Sequence, residues 1–471
     1  MKRVLVANRG EVAVRIVRAC LDLGLEVVVA HSEADRDGLA VRLATGAFCI
    51  GPGPVAQSYR NIPALLYAAA RVGADAVHPG YGFLAEDPVF AAACEDVGLT
   101  FIGPTAQTIG MMGDKIGARA LMAESGVPIL PGSPGALRDV REARAVADAV
   151  GYPVILKAAA GGGGRGIAVV ASSAGLDAAW SEIAATSRSL FGDARVFLER
   201  YVEAGRHVEV QVLGDGTDVM HLGERDCSVQ RRHQKLVEES PAPNLPGRTV
   251  ELLREAAERG ARSIGYRSAG TFEFVVDRAG APYFIEMNTR LQVEHPVTEH
   301  CWDVDLVAAM IDIARGGRLP ARAPGPRGWC MEARVVAEDP ARGWLPSAGP
   351  VGRVHLPGGH GVRVDSHLQS NSVVSPLYDS LLAKVIAWGS TREEARTRLL
   401  RAVGEVEVEG ITTDTGFLAA VLASPEFAAG THDVDLAGRL SAQLSSQPTT
   451  ARPATTTPTT TPSTPTHLTG R

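Results

Sequence analysis

A glycine-rich loop held between two strands limits the possible folds of this chain more than any other stretch. Gly161, Gly163 and Gly166 satisfy G-x-G-x-x-G, and the apolar run Pro153–Leu156 reads as a strand leading into them. A dinucleotide-binding fold needs a helix to open directly after such a loop. Here Ile167-Ala168-Val169-Val170 follows, a β-branched run that reads as a second strand. A Walker A loop is excluded as well, because no Gly-Lys-Ser/Thr is present. What is left is a glycine hairpin, Gly161-Gly162-Gly163-Gly164, with Arg165 near its tip and Lys157 just before it. Such a loop is either plain hairpin chemistry or a cover for phosphate oxygens, which its free N–H groups can bind.

Lysine usage bears on that choice. Of 47 basic residues only Lys2, Lys115, Lys157, Lys235 and Lys384 are lysines. In a chain that otherwise uses arginine, a retained lysine points to a site that needs a compact ammonium rather than a planar fork.

Residues 1–112 alternate between strand-like and helix-like stretches. Lys2–Ala7 and Glu26–His31 read as strands around a helix over Glu11–Leu23, and Ala74–His78 and Thr100–Ile102 as further short strands. That rhythm predicts a parallel α/β sheet. The loops Asn8-Arg9-Gly10-Glu11 and His78-Pro79-Gly80-Tyr81-Gly82-Phe83 lie at strand ends, where such sheets place ligands. A second α/β region over 113–326 holds most of the chemistry. A mixed region over 327–446 includes strands at Met331–Val336 and Leu381–Ala387, and a helix opened by a capping box at Ser390-Thr391-Arg392-Glu393. Residues 447–471 contain eleven Thr and five Pro and are expected to be disordered or a linker.

The segment Thr271–His295 carries the clearest chemical pattern. Thr271–Val276 and Tyr283–Met287 read as two strands of a hairpin. Pairing Val276 with Tyr283 sets Phe272 against Met287 and Phe274 against Ile285 on an apolar side. The same register sets Glu273 across from Glu286, and Thr271 across from Asn288. Opposed side chains lie about 5 Å apart at Cβ, where two carboxylates repel unless a cation joins them. Glu273, Glu286 and Asn288 form an oxygen-only set that suits Mg²⁺; two solvated glutamates are the plainer alternative. If the chain stays extended, Asn288, Arg290, Gln292 and Glu294 project to one side. Arg290 can then hold a planar oxyanion and Glu294 can act as a general base. An amphipathic edge strand gives the same pattern. The basic run Gln230-Arg231-Arg232-His233-Gln234-Lys235 reads either as a solvated surface or as part of a phosphate site.

The net charge of -6 gives no reason to expect nucleic acid or an anionic membrane as partner. No run approaches the length needed to span a bilayer. Six scattered cysteines without a C-x-x-C pair predict reduced thiols and a cytoplasmic protein.

Along residues 1 to about 440 the chain resembles biotin carboxylases. The matching strings are Ala7–Glu11, His78–Phe83, Met112-Gly113-Asp114-Lys115, Gly161–Gly166, Glu224-Arg225-Asp226-Cys227-Ser228 with Gln230–Lys235, and Glu286–Pro296. The resemblance implies a multidomain α/β and α+β protein: a Rossmann-like N-terminal domain (1–112), an ATP-grasp domain (113–326) with a glycine lid over about 131–203, and a mixed C-terminal domain (327–446). It implies ATP- and bicarbonate-dependent carboxylation of biotin through carboxyphosphate, the first half-reaction of an acetyl-CoA or other acyl-CoA carboxylase.

Carried over by position, the resemblance assigns ATP to Lys115, Lys157, Gly161, Gly162, Gly163, Gly164, Arg165, Gly166, Glu199, His207, Gln230, His233, Glu273 and Glu286. Mg²⁺ or Mn²⁺ falls to Glu273, Glu286 and Asn288. Bicarbonate falls to Arg290, Gln292, the Val293 amide and Glu294 as base, and biotin to Arg334 and Tyr81. Lys235, Arg290, Glu294 and Arg334 are the implied catalytic set. Ala160 and Ile167 depart from residues common in the family, glycine and methionine. No Ala-Met-Lys-Met sequence occurs, so biotin is expected on a separate carrier protein, with a carboxyltransferase subunit and a homodimer as further partners. The competing readings are another ATP-grasp carboxylate ligase and a non-catalytic nucleotide-binding regulatory subunit. Arg290–Glu294 with Arg334 speak against the first, and the intact ligand set against the second.

Overall fold

The computed structural model describes residues 1–160, 166–321 and 323–446; the loop Gly161–Arg165 and the Thr/Pro-rich tail over 447–471 lie outside the described residues. Among the described residues, sixteen strands fall in three larger sheets, beside three two-stranded ones. Strands β1 (Arg3–Val6), β2 (Glu26–Ser32), β3 (Gly46–Gly51), β4 (Ala76–His78) and β5 (Thr100–Phe101) form a parallel sheet in the order β3-β2-β1-β4-β5. Both its faces are covered, as the near-continuous apolar strands require. Val4 and Val6 pack with the helix Gly10–Asp22 on one side, while Leu5 and Ala7 pack with Tyr59 and Phe90 on the other. Each such fully buried Val or Leu contributes about 1.5–3 kcal/mol.

Strands β6 (Val154–Ala158), β7 (Ile167–Val170) and β8 (Val196–Arg200) form a small antiparallel sheet, order β7-β6-β8. Lys157 pairs with Ile167, so the glycine loop does join two antiparallel strands. The third sheet is built from β9 (Arg206–Asp215), β10 (Val219–Arg231), β11 (Gln234–Ser240), β12 (Arg267–Val276), β13 (Pro282–Asn288), β14 (Trp329–Val336), β15 (Val362–Ser366) and β16 (Leu381–Gly389). Its order is β13-β12-β9-β10-β11-β14-β16-β15. Glu238 pairs with Glu332 and Val237 with Ala333, so one sheet continues from the central region into the C-terminal one.

Within β10 the register with β9 shifts between His221 and Glu224. Gly223 sits there at φ +73°, and a Cβ would meet the Trp302 ring at 2.4 Å, so only glycine fits this bulge. The expected capping box is only half formed and falls one residue later. Thr391 is the N-cap, extended at φ −125°, accepting from the Glu394 N–H, while Glu394 Oε2 accepts from the Ser390 N–H at 2.9 Å. That helix runs Arg392–Glu405, past the Leu400 expected from sequence. No described helix is long and apolar enough to cross a membrane.

Candidate functional site

A cleft of about 1460 Å³ opens where the three sheets meet. Its walls include Tyr81, Lys115, Lys157, His207, Gln230, His233, Lys235, Glu273, Glu286, Asn288, Arg290, Gln292, Val293, Glu294 and Arg334. Residues more than two hundred positions apart thus converge on one space, the usual setting for a ligand site.

The β12–β13 hairpin lies along the cleft. Thr271 pairs with Asn288, Phe272 with Met287 and Glu273 with Glu286, the register expected from the pattern. Beyond Glu273 a bulge intervenes: Phe274 pairs with Phe284, Val275 with Tyr283 and Val276 with Pro282. The expected Phe274–Ile285 and Val276–Tyr283 pairs do not form. Ile285 is the extra residue and turns to the cleft, while Phe284 enters the core against Phe272 and Phe274. Burying an aromatic ring in place of an isoleucine gives the larger apolar gain.

Cations meet both opposed carboxylates. Lys115 Nζ contacts Glu286 directly, while Lys235 Nζ donates to Glu273 Oε1 at 3.0 Å and His207 Nε2 lies 3.1 Å from Glu273 Oε2. Burial alone would raise the Glu273 carboxyl, but Lys235 and His207 hold it well below the carboxylate range. Burial, with Lys157 nearby, brings the Lys115 ammonium down to about 8. Burial also lowers His233, helped by His207 and Lys157, so this ring meets the cleft uncharged near neutral pH.

Lys235 is the centre of the site. Its ammonium donates to Glu209 Oε2 at 2.6 Å, Glu273 Oε1 at 3.0 Å and Glu294 Oε1 at 2.6 Å. Arg225, wholly buried, backs this cluster through Glu209 at 2.5 Å, Gln211 at 2.7 Å and Thr271 at 3.0 Å. Sequence reasoning missed Glu209. The alternation His207-Val208-Glu209-Val210-Gln211 carried the same period-two signal that exposed Glu273 and Glu286. His207, Glu209 and Glu273 also bring ligand atoms within 4.8 Å of one another, a metal-type grouping not expected from the sequence.

Residues 288–294 do not stay extended. The strand ends at Asn288, and Glu294 at φ −81°, ψ 10° leads into the helix His295–Trp302, whose first turn holds Pro296. The side chains nonetheless converge. Arg290 donates to Asn288 Oδ1 and Gln292 Oε1, each at 3.0 Å, and to Glu86 Oε2 at 2.8 Å. Gln292 Nε2 reaches Glu273 Oε1 at 3.3 Å. Glu294 Oε2 accepts from Arg334 at 2.9 Å, and Arg334 also donates to Glu238 Oε1 at 2.5 Å. Burial pushes Glu294 upward, but Lys235, Arg334 and Arg225 together hold it well below 4.5.

Tyr81 closes one end of the cleft, its hydroxyl donating to Glu11. Glu199 is not brought to the cleft wall. It is buried behind Lys157, accepting from Lys157 Nζ at 2.6 Å and from Arg119 Nε at 2.9 Å. Gly166, at φ +73°, ends the glycine loop, and its carbonyl accepts from the Ala158 N–H. The expectations for Gly161, Gly162, Gly163, Gly164 and Arg165 lie outside the described residues.

Behind Arg334 a second carboxyl pair is buried. Glu238 and Glu332 are direct partners on β11 and β14, both fully buried, and neither oxygen of Glu332 has a hydrogen-bond partner. Burial raises Glu332 well above 4.5, Lys384 offsets only part of this, and Glu238 adds to it. Burial therefore favours the protonated form of Glu332. The folded state then keeps a proton that the unfolded chain has released, so stability falls as pH rises through the interval above 4.5. Glu332→Gln keeps the shape without the proton. Denaturant titrations at about pH 5 and about pH 8 should show that decline flattened in the variant; an unchanged slope would mean an ionised Glu332.

Oxygen donors at opposed positions, each drawing a cation, fit a divalent metal with phosphate oxygens. The Glu273, Glu286 and Asn288 side chains present that set.

Comparisons with known proteins cover nearly the whole chain. Family models match at residues 1–109 (biotin carboxylase, N-terminal domain), 114–322 (carbamoyl-phosphate synthase L chain, ATP binding domain) and 332–438 (biotin carboxylase C-terminal domain). The chain is 50% identical over 419 residues to a biotin carboxylase of Pseudomonas aeruginosa, covering 88% of this chain and 93% of that one. It is 47% identical over 434 residues to biotin carboxylase 1 of Bacillus subtilis, covering 91% and 96%. Among solved structures, the biotin carboxylase domain dimer of Hydrogenobacter thermophilus 2-oxoglutarate carboxylase, in complex with MgADP, ADP and bicarbonate, superposes with a TM-score of 0.90. It is 44% identical, over 93% of this chain and 97% of that one.

Proposed function

Because this chain belongs to the biotin carboxylase family, we propose a specific division of labour among its residues for the ATP- and bicarbonate-dependent carboxylation of biotin. The protein is a ligase of ATP-grasp fold. Bicarbonate and ATP give carboxyphosphate and ADP, and the carboxyl group passes to N1′ of biotin as the bond to phosphate breaks and inorganic phosphate leaves with the N1′ proton. The single observation that carries the assignment of roles is the convergence of Lys235, Arg290, Gln292, Glu294 and Arg334 on one cleft beside the opposed glutamates.

Lys115, Lys157, His207, Gln230 and His233 hold the nucleotide, with Glu199 orienting Lys157; the resemblance gives Gly161–Gly166 the same ligand. Glu273, Glu286 and Asn288 would hold Mg²⁺ or Mn²⁺, which when bound neutralises charge on the phosphate oxygens. Arg290, Gln292 and the Val293 amide hold bicarbonate. Glu294 takes its proton. At rest Lys235 and Arg334 suppress the basicity of Glu294. Substrate charge that draws these two cations away raises it, so the base is activated only when substrates are present. Arg334 then faces the oxyanion that develops on the ureido group of biotin, near Tyr81, a contact worth most in the transition state.

The chain divides into functional regions 1–112, 113–326 and 327–446. Biotin arrives on a carrier protein and a carboxyltransferase subunit uses the product, with the chain itself a homodimer. Six free cysteines fit a reducing, cytoplasmic setting. The direct test is ADP release by the purified protein with Mg-ATP, with and without bicarbonate and high free biotin. Release that needs bicarbonate and rises with biotin is the expected result. Nucleotide binding without either dependence would point to a different ligase or to a regulatory subunit.

A further inference from the structure

Four of the five lysines are accounted for by the cleft or the N-terminus; the fifth, Lys384, lies outside the site described so far. It sits on β16 between Arg334 of β14 and Asp365 of β15, and none of its side chain is exposed. Its ammonium donates to the carbonyl of Val293 at 2.7 Å, lies 3.3 Å from Glu11 Oε1 and 3.9 Å from Asp365 Oδ2. One point charge therefore meets three segments that come from different parts of the chain. A compact ammonium suits three acceptors in divergent directions, whereas a planar guanidinium does not.

The Val293 contact is the informative one. Asp365 is already held by Arg363 at 2.7 Å, and Glu11 already accepts from Tyr81, so neither carboxylate depends on Lys384 alone. The Val293 carbonyl belongs to the turn that leaves β13 and enters the helix His295–Trp302. That turn carries the Val293 N–H and the Glu294 side chain. Fixing a carbonyl fixes the rotation of its peptide unit, because the peptide bond is planar. His295 Nδ1 meets the Gln292 carbonyl at 2.7 Å, so the preceding peptide is fixed as well.

We propose that Lys384 is a positioning residue for bicarbonate: from the buried face of the sheet it pins the Val293 carbonyl, which fixes the peptide between Val293 and Glu294 and so the aim of Glu294 into the cleft, while His295 fixes the preceding peptide that bears the Val293 N–H. This rests on the bicarbonate role given above to Arg290–Glu294. Lys384 touches no substrate, and its loss acts through the turn. The nucleotide-binding groups Lys115, Lys157 and His233 lie on other elements and do not depend on it.

The test is steady-state ADP release by the full chain, with bicarbonate and ATP varied separately. Lys384→Met removes the pin. Glu11→Gln/Lys384→Met does so while also neutralising the carboxylate nearest the lost ammonium, and it decides the matter if the single variant does not fold. Glu11→Gln alone keeps the pin and serves as control. In the pinless variants the KM for bicarbonate should rise about tenfold or more, as loss of a charged hydrogen bond predicts, with the KM for ATP changed by less than about twofold. Glu11→Gln should leave the bicarbonate KM within about twofold of wild type. A purely structural role would move both constants together; that result, or no change in either, overturns the proposal. Wild-type ADP release that does not need bicarbonate would instead remove the functional reading on which it rests.

Discussion

Glu294→Gln will remove bicarbonate-dependent ADP release, lowering kcat/KM by about 10²–10⁴, while nucleotide binding persists. The Glu294 side chain is fully buried and sits between Lys235 at 2.6 Å and Arg334 at 2.9 Å. Glutamine preserves the volume but cannot accept a proton from bicarbonate, and its amide N–H₂ must face one of the two cations while its oxygen accepts from the other. The fold should tolerate this, because Lys235 keeps Glu209 and Glu273, and Arg334 keeps Glu238. Parallel measurement of ADP release and of ATP binding by titration separates the two effects. Full carboxylation by this variant would refute the assignment of Glu294 as base.

Lys235→Met is the substitution with the largest expected cost to stability, about 3–5 kcal/mol at pH 8, together with loss of activity. Three buried carboxylates lose their shared cation at once. Arg225, His207 and Arg334 each still reach one of them, which sets the upper end of that range. The pH dependence should change sign. In the wild type Glu273 and Glu294 are held below 4.5, so their contribution is present above the unfolded value and is lost as pH falls through the folded one. Without Lys235 burial dominates and the carboxyls rise, so the variant regains stability as pH falls from about 8 toward about 5.5 and they protonate. Denaturant midpoints at both pH values test this. Equal losses at the two would mean that the damage is packing and not charge.

Local pattern was readable wherever the deciding contacts lie within about twenty residues along the chain. Strands on both sides of the glycine loop excluded a dinucleotide-binding fold, and the pairing of Lys157 with Ile167 agrees. Alternation over Thr271–Asn288 set Glu273 opposite Glu286, because side chains in a strand must alternate and a slip by one would expose the phenylalanines. The same rule failed at Phe274. A bulge exchanges local regularity for the burial of Phe284, and that gain comes from Phe272 and Phe274 together with a core gathered from other segments.

By itself, then, the sequence determined the parallel N-terminal sheet, the glycine hairpin, the opposed carboxylates and the family resemblance, all of which rest on spacing and residue type. Tertiary structure alone decided what neutralises those carboxylates. Nothing near Lys235 in the chain reveals that its ammonium will reach Glu209, Glu273 and Glu294, or near Lys384 that it will hold Val293. Such contacts are specified by how three sheets pack, and the electrostatics of a buried charge depends on the partners that packing supplies, whatever their distance along the chain.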